Sequence, residues 1–270
     1  MQFTLLGPLQ VIHSGKAITP SAPKVRQVLA LLLLRSNQMV GMDSVIEELW
    51  NGHPPRSAVT TAQTYIYQLR KAFAATSTDS DAESLLGTSS PGYCLSIEDD
   101  QLDYRRFDRL VLQSQDEQAA GRTGRAAELV EQALDMWTGR ALSNVYCGPM
   151  LTSYAAHLEE KRMAALELHI QLDMQLGRHR KLIAELRSLV AAHPFNEWIH
   201  AQLILALSKA GRRNEALQSY HSVRAMLNAE LGLDPSAELQ RVHHEILTDS
   251  GPRAEQAPAR FPVRPTVSLA

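Results

Sequence analysis

A chain of 270 residues, 44% hydrophobic and 21% charged, has the composition of a globular protein and is long enough for two domains. The longest apolar run, residues 28–34, is far too short to cross a bilayer, and the first residues lack the basic start of a signal peptide. We therefore expect a cytoplasmic protein with no membrane partner. The net charge of −2 argues against a nucleic-acid partner only if the charged residues are spread evenly along the chain.

The charge is in fact distributed unevenly along the chain. Residues 1–78 carry seven basic and three acidic side chains, a net charge of +4, whereas residues 79–135 carry five basic and thirteen acidic ones, a net charge of −8. Residues 1–42 and 49–78 contain no acid at all. This asymmetry favours a basic N-terminal unit that faces a polyanion, with a chance fluctuation of surface charge as the alternative.

The N-terminal part is predicted to contain a small sheet, three helices and a hairpin. Short strands lie in residues 3–19 and turn at Ser14 and Gly15. After a polar, acidic loop that begins at residue 76, a hairpin over residues 85–97 turns at Pro91-Gly92. The spacing of apolar residues predicts the helices over residues 23–37, 43–50 and 60–73.

The third of these helices carries two conflicting signals. Its Thr and Tyr content is typical of a strand, but its apolar residues recur at helical spacing and form one narrow stripe. These stripe residues are Ala62, Ile66, Leu69 and Phe73. Surface positions chosen only for stability would be Glu, Lys or Ala, whereas this helix carries hydroxyl, amide and aromatic groups that can contact base edges and phosphates. Strands, three helices and a hairpin in this order predict a winged helix-turn-helix whose third helix enters the major groove of DNA, with an ordinary solvated helix face as the alternative.

Residues 102–248 have helical periodicity throughout. Segments around Gly177 and Gly211 match each other at a separation of 34 residues, which is the tetratricopeptide period, and a third copy of the turn surrounds Gly121. We interpret the glycine at each turn as a small residue that lets paired helices pack closely.

The predicted fold is therefore mainly α in two domains and a tail. Residues 1–98 form a winged helix-turn-helix with a small sheet and a C-terminal hairpin. Residues 102–248 form an all-α, tetratricopeptide-like helical-repeat domain. Residues 249–270, rich in Pro and Ala and without periodicity, are predicted to be a disordered tail.

No motif indicates catalysis, a cofactor or a metal. The spacings of a P-loop, a dinucleotide fingerprint and a nucleophile elbow are absent. Cys94 and Cys147 lie far apart without metal-type spacing, which favours reduced structural thiols, with a disulfide as the alternative. The ten histidines are scattered, and His243 and His244 are adjacent on a helix, so their side chains point in different directions. We expect neither an enzyme nor a bound cofactor.

Two stretches of the chain resemble a known family. The segment WNGHPPRSAVTTAQTYIYQLRKAF and the PGY of the hairpin are similar to the OmpR-type winged helix of the SARP family, the antibiotic regulatory proteins of actinobacteria. The segments LDYRRFDRLV, AAELVEQALDMWTGRAL and most of residues 158–247 resemble the bacterial transcriptional activation domain of that family. The resemblance covers about residues 1–248 and implies a transcriptional activator of a secondary-metabolite (antibiotic) gene cluster, which binds direct repeats in promoters and recruits RNA polymerase.

The same resemblance, together with the helical wheel, assigns candidate DNA-binding residues. The family positions on the recognition helix correspond to Gln63, Thr64, Tyr65, Tyr67, Gln68 and Arg70, and those on the wing to Thr88 and Ser89. Relatives often carry Arg where this chain has Ser89, which argues against a strong phosphate or minor-groove contact by the wing. We hypothesise that bases are read by Thr60, Gln63, Thr64, Tyr67 and Gln68, and that phosphates are held by Arg56, Arg70 and Lys71.

With so few basic residues, one copy should bind DNA weakly. We therefore predict a head-to-tail dimer on double-stranded DNA with tandem repeats. RNA polymerase holoenzyme is the second expected partner. One alternative is a helical-repeat protein-interaction scaffold or ligand sensor, and another is a repressor that uses the same DNA contacts.

Overall fold

The computed structural model describes residues 1–75 and 85–248, residue 89 by its backbone alone. The predicted acidic loop and the predicted tail at 249–270 lie outside the described residues. The strands are β1 (Gln2–Thr4), β2 (Gln10–His13), β3 (Lys16–Ala17), β4 (Val40–Gly41), β5 (Leu86–Ser89) and β6 (Gly92–Leu95). The helices are α1 (Pro23–Leu34), α2 (Met42–Trp50), α3 (Ala58–Ala74), α4 (Asp103–Ala119), α5 (Thr123–Leu134), α6 (Pro149–Gln175), α7 (His179–Ala192), α8 (Glu197–Lys209), α9 (Arg213–Leu231) and α10 (Ala237–Thr248), with a 3₁₀ turn at Asp99–Gln101.

The chain divides into two compact units, Met1–Leu176 and a second that starts at Gly177. The first unit contains two antiparallel sheets, with strand orders β1-β2-β3 and β4-β6-β5. Helices α1, α2 and α3 pack on one another. The predicted mainly α fold, with a winged helix at the N-terminus and helices after it, is confirmed.

A single hydrophobic core runs through the first unit. Phe3 and Ile66 of the winged helix belong to the same buried cluster as Phe107 on α4 and Trp137 after α5. The rings of Phe107 and Trp137 meet edge to face, with their centroids 5.7 Å apart. The core therefore continues past residues 98–102, where the sequence changes from winged helix to helical repeat.

A buried carboxylate, Glu48, joins α2 to the N-terminus of α6. Its side chain is 1% exposed and accepts hydrogen bonds from the backbone N–H groups of Gly148 (2.5 Å), Met150 (2.9 Å) and Leu151 (3.2 Å). The first N–H groups of a helix have no partner within the helix, and the positive end of the helix dipole attracts an anion, so the contact stabilises both groups. Gly148 must lack a side chain because an added Cβ would lie 2.1 Å from the carbonyl oxygen of Glu48.

A second buried carboxylate, Asp103, joins α4 to the segment after β1. It accepts hydrogen bonds from the N–H groups of Leu5 (2.8 Å), Leu6 (2.9 Å) and Tyr104 (2.8 Å). Burial raises the pKa of Asp103 to about 6, although these N–H groups favour the ionised form. The same segment is held by Asn144, which accepts from the N–H of Leu9 and donates to its carbonyl oxygen.

The second unit contains α7 to α10 in its described part. Helix α8 contacts α7, α9 and α10, and its N-terminus is capped by Asn196, whose side-chain oxygen accepts from the N–H of Ile199 at 3.2 Å. The ring of Tyr220 on α9 stacks on that of His243 on α10, with centroids 3.9 Å apart.

The three glycines singled out in the sequence lie in the turns that follow α4, α6 and α8. Gly121, Gly177 and Gly211 have φ angles of 75°, 72° and 80°, and a Cβ added to any of them would meet nothing within 4 Å. The interpretation that they allow close helix packing is therefore wrong. Glycine is favoured there because it alone adopts the left-handed conformation without steric cost as the chain leaves a helix.

Candidate nucleic-acid interface

Helix α3 is seated on the first unit by its predicted apolar stripe. Ala62, Ile66, Leu69 and Phe73 are each at most 1% exposed, and the ring of Phe73 meets that of Phe3 edge to face at 6.4 Å. The β-like composition of this segment is outweighed because burial of a continuous helical stripe stabilises the helix, whereas an isolated strand would expose half of these residues. The helical prediction for residues 60–73 is confirmed, and the helix extends to Ala58–Ala74.

The opposite side of α3 is open and polar. The exposed residues of this side that sequence reasoning selected are Thr60, Gln63, Thr64, Tyr67, Gln68 and Lys71. The Tyr67 side chain is 64% exposed, and the Thr64 hydroxyl donates to the carbonyl oxygen of Thr60 at 2.9 Å. Arg56, in the turn just before the helix, is also exposed. The surface thus presents hydroxyl, amide and cationic groups, with no acidic residue anywhere in residues 49–78.

Two predicted contact residues are less open than the others. Tyr65 is half-buried and packs against the hydrophobic core. Arg70 is also half-buried, and its guanidinium group is engaged within the protein. The family resemblance placed both residues on the DNA side, and the helical wheel put Arg70 near the edge of the apolar stripe, but neither includes the strand that lies beside the helix.

The wing, which we define as strands β5 and β6 and the turn between them, lies against α3 through Arg70. Its Nε donates to the carbonyl oxygen of Leu86 at 3.0 Å, and its Nη2 donates to the hydroxyl of Thr88 at 2.8 Å. The guanidinium carbon lies 5.7 Å from the centre of the Tyr93 ring. Thr88 is exposed, so the contact brings two of the predicted site residues together, while Ser89 continues the same strand as its last residue.

A groove separates α3 from the wing on the solvent side. It has a volume of about 460 Å³. Its lining consists of Tyr67, Arg70, Lys71, Ala74, Leu86, Gly87 and Thr88. The exposed residues Tyr67 and Lys71 of α3 and Thr88 of the wing therefore line one concave surface.

The other side of the wing is fixed by strand β4, which pairs with β6. Gly92 pairs with Gly41, and an added Cβ on Gly92 would lie 2.1 Å from the carbonyl oxygen of Val40. The glycine of the PGY segment is therefore required by close backbone approach. The wing is held on both sides, by β4 through the backbone and by α3 through Arg70.

Sequence reasoning missed several features of this part of the structure. Glu48 was counted only as a charge, although it lies three residues after the apolar Val45 on the same helix face, and this spacing was the available signal of burial. Val59, in the first turn of α3, is 49% exposed and was also missed. The bonds of Arg70 join residues 16 and 18 positions apart, a separation that no periodicity encodes.

Other kinds of site find no support in the described part of the chain. No three His, Cys, Asp or Glu side chains of residues 1–75 and 85–248 are grouped as metal ligands would be. Cys94 and Cys147 are free thiols. Within the same residues, every helix is too short or too polar to span a bilayer.

Comparison with known proteins matches both halves of the chain. Residues 102–247 match the family model of the bacterial transcriptional activator domain, and residues 16–95 match that of the C-terminal domain of transcriptional regulatory proteins. The chain is 38% identical over 273 residues to the regulatory protein DnrI of Streptomyces peucetius, with all of both chains covered. It is 35% identical to the transcriptional regulator RedD of Streptomyces coelicolor, over 92% of this chain and 70% of RedD.

A solved structure has the same architecture. The structure of Mycobacterium tuberculosis EmbR in complex with a low-affinity phosphopeptide superposes with a TM-score of 0.84 at 33% sequence identity. The match covers 91% of this chain and 64% of that chain.

Proposed function

Because the chain belongs to the SARP family of transcriptional regulators, we propose that it activates transcription of a secondary-metabolite (antibiotic) gene cluster by binding specific promoter DNA. The observation that carries the proposal is the seating of α3, whose apolar stripe is buried while its hydroxyl and amide groups remain open. A helix held in this way presents its free side to the major groove, where base pairs differ in their pattern of donors, acceptors and methyl groups.

The proposed DNA contacts divide by chemistry. Thr60, Gln63, Thr64, Tyr67 and Gln68 read base edges and thymine methyl groups. The amide of Gln68 pairs well with adenine, because it offers a donor and an acceptor side by side. Arg56 and Lys71 contact phosphates, which fix the register of the helix in the groove. The wing residues Thr88 and Ser89 add only weaker, neutral contacts, because the wing lacks the Arg that relatives often carry. Tyr65, half-buried in the structure, supports the helix from its edge.

The two sequence-defined domains carry different parts of this function. Residues 1–98 bind DNA, and residues 102–248 contact RNA polymerase holoenzyme. The shared core and the Glu48 contact with α6 support a rigid connection between α2 and the first helices after the winged helix. We propose that the protein is cytoplasmic, has no enzymatic activity and needs no cofactor.

We propose that two copies bind direct repeats head to tail. The open face of α3 is mostly neutral, so one copy gains few phosphate contacts and binds weakly. Two copies whose half-sites lie about 10 to 10.5 base pairs apart, or a multiple of that distance, face the same side of the duplex and gain affinity from each other.

Selection of bound sequences from genomic DNA, followed by footprinting and a reporter assay with and without the protein, tests the proposal. We expect protection of a tandem repeat upstream of a promoter and a higher reporter signal when the protein is present. Gln115→Ala is the matched control for changes on α3, because Gln115 is an exposed amide on α4. Absence of sequence preference at physiological salt, where non-specific phosphate binding is weak, would contradict DNA reading. Full affinity for one isolated half-site would contradict the dimer.

A repressor is the second candidate, and it uses the same DNA contacts. The sign of regulation depends on where the site lies relative to the promoter. The reporter assay separates the two, because a repressor lowers the signal from the same bound site.

A further inference from the structure

We propose that Arg70 is a positioning residue, which fixes the wing against α3 and orients Thr88 toward the DNA backbone, and does not itself contact a phosphate. This inference rests on the proposed DNA-binding function. It changes the expected role of Arg70, which sequence reasoning placed among the phosphate-holding residues.

The first step of the argument is the use of the guanidinium group inside the protein. Nε donates to the carbonyl oxygen of Leu86 at 3.0 Å and Nη2 donates to the Thr88 hydroxyl at 2.8 Å. Both distances are those of well-formed hydrogen bonds. The two acceptors lie two residues apart on the same strand, so one planar side chain holds β5 at two points.

The second step is the shape of the arginine side chain. Its N–H groups form a rigid planar fork, and its flat face also lies near the ring of Tyr93 at 5.7 Å. A lysine ammonium carries the same charge on a flexible stem and binds phosphate well as a point charge, but it lacks this fork. Lysine at position 70 therefore keeps the charge and loses the two-point hold on β5.

The third step concerns the hydrogen bond that the Thr88 hydroxyl can still donate. The Thr88 hydroxyl oxygen accepts the hydrogen bond from Arg70, so its own hydrogen remains available to donate. Thr88 is exposed on the wing beside the groove that Tyr67 and Lys71 also line. A phosphate oxygen at this position would accept from Thr88, whose direction is set by Arg70.

Two measurements on the full chain test the proposal. The first is amide hydrogen exchange of residues 86–95 without DNA. We expect faster exchange in Arg70→Lys and Arg70→Ala, and wild-type exchange in Lys71→Ala. The second is a salt titration of DNA affinity. A phosphate contact contributes about 0.9 to the slope of log affinity against log salt, so Lys71→Ala should reduce the slope by about that amount and the Arg70 variants should not.

The affinity of Arg70→Lys is the sharpest readout. We expect it to bind on the order of tenfold more weakly than wild type, the loss that follows when one charge-assisted hydrogen bond disappears. Thr88→Val, which keeps the size of the side chain, should cause a similar loss, and the double variant should be no weaker than either single one. If Arg70→Ala does not fold, the affinity of Thr88→Val still tests the proposal.

Several outcomes would overturn the positioning role. Each of three results would return Arg70 to the phosphate-holding group. Arg70→Lys could bind DNA with wild-type affinity, or Arg70→Ala could reduce the salt slope as much as Lys71→Ala does. The third result is that the affinity losses of the Arg70 and Thr88 variants add in the double variant. Failure of the proposed function looks different, because wild-type protein would then show no salt-dependent binding to any DNA while the exchange of the wing could still respond to Arg70.

Discussion

Replacing Glu48 by glutamine tests the contact between the winged helix and the helices that follow it. Glutamine has almost the same shape, but it carries no charge and puts an NH₂ group among N–H donors. The wild-type carboxylate is 1% exposed and accepts from three N–H groups at the start of α6. The substitution therefore leaves at least one buried donor without an acceptor.

The expected loss of stability follows from these contacts. A hydrogen bond to a charged group contributes about 1.5–3 kcal/mol, and a partly buried charge at a helix end contributes up to about 2 kcal/mol. The two effects overlap, because they describe the same carboxylate at the same helix. We expect Glu48→Gln to lower the free energy of unfolding of the first unit by about 2–4 kcal/mol.

Urea unfolding followed by tryptophan fluorescence measures this loss. A Trp198→Phe background removes the tryptophan of the second unit, so Trp50 and Trp137 report on the first. The midpoint should shift by about 1 M urea or more, at a typical slope of 1–3 kcal/mol per M. Glu47→Gln is the control, because Glu47 is the exposed neighbour on the same helix and should change stability by less than about 0.5 kcal/mol. Equal midpoints for the two variants would refute the role assigned to Glu48.

Three further predictions concern the wing, pH and base reading. Gly92→Ala should unfold or strongly destabilise the wing, because the added Cβ would lie 2.1 Å from a backbone oxygen. Gly87→Ala is the control and should keep the wild-type melting temperature, because its added Cβ would lie 3.9 Å from the nearest atom. Equal melting temperatures of the two variants would contradict the close approach at Gly92. Because the folded pKa of Asp103 is raised to about 6, its contribution to stability is present near pH 4 and is lost as pH rises through 6. The stability of wild type relative to Asp103→Asn should therefore fall by on the order of 2–3 kcal/mol between about pH 4 and 7, and a difference that grows with pH in denaturant titrations would show the opposite sign. Gln68→Ala should relax base preference at one position of the site by about 1–3 kcal/mol in competition binding, and an unchanged preference would remove Gln68 from the base readers.

The amino-acid sequence determined the elements whose cause is local. The stripe from Ala62 to Phe73 specifies a helix and the side on which it is buried, because residues three and four positions apart share a face whatever surrounds them. Gly177 and Gly211 were found by their 34-residue spacing and Gly121 by the similar sequence of its turn, although the physical role of all three was misread as close packing. The separation of a polar face from an apolar one on α3 followed directly, and with it the candidate surface.

Only the tertiary structure decided how that surface is held. Glu47 and Glu48 are identical in chemistry and adjacent in sequence, yet one is exposed and the other is buried, because α6 brings its N–H groups to one of them from 100 residues away. Likewise, the sequence indicates a cation at Arg70 that is available to DNA, whereas in the structure its side chain bridges α3 and β5. Such contacts arise when segments distant in sequence approach each other, and their energies depend on distance and burial, which periodicity along one segment does not contain.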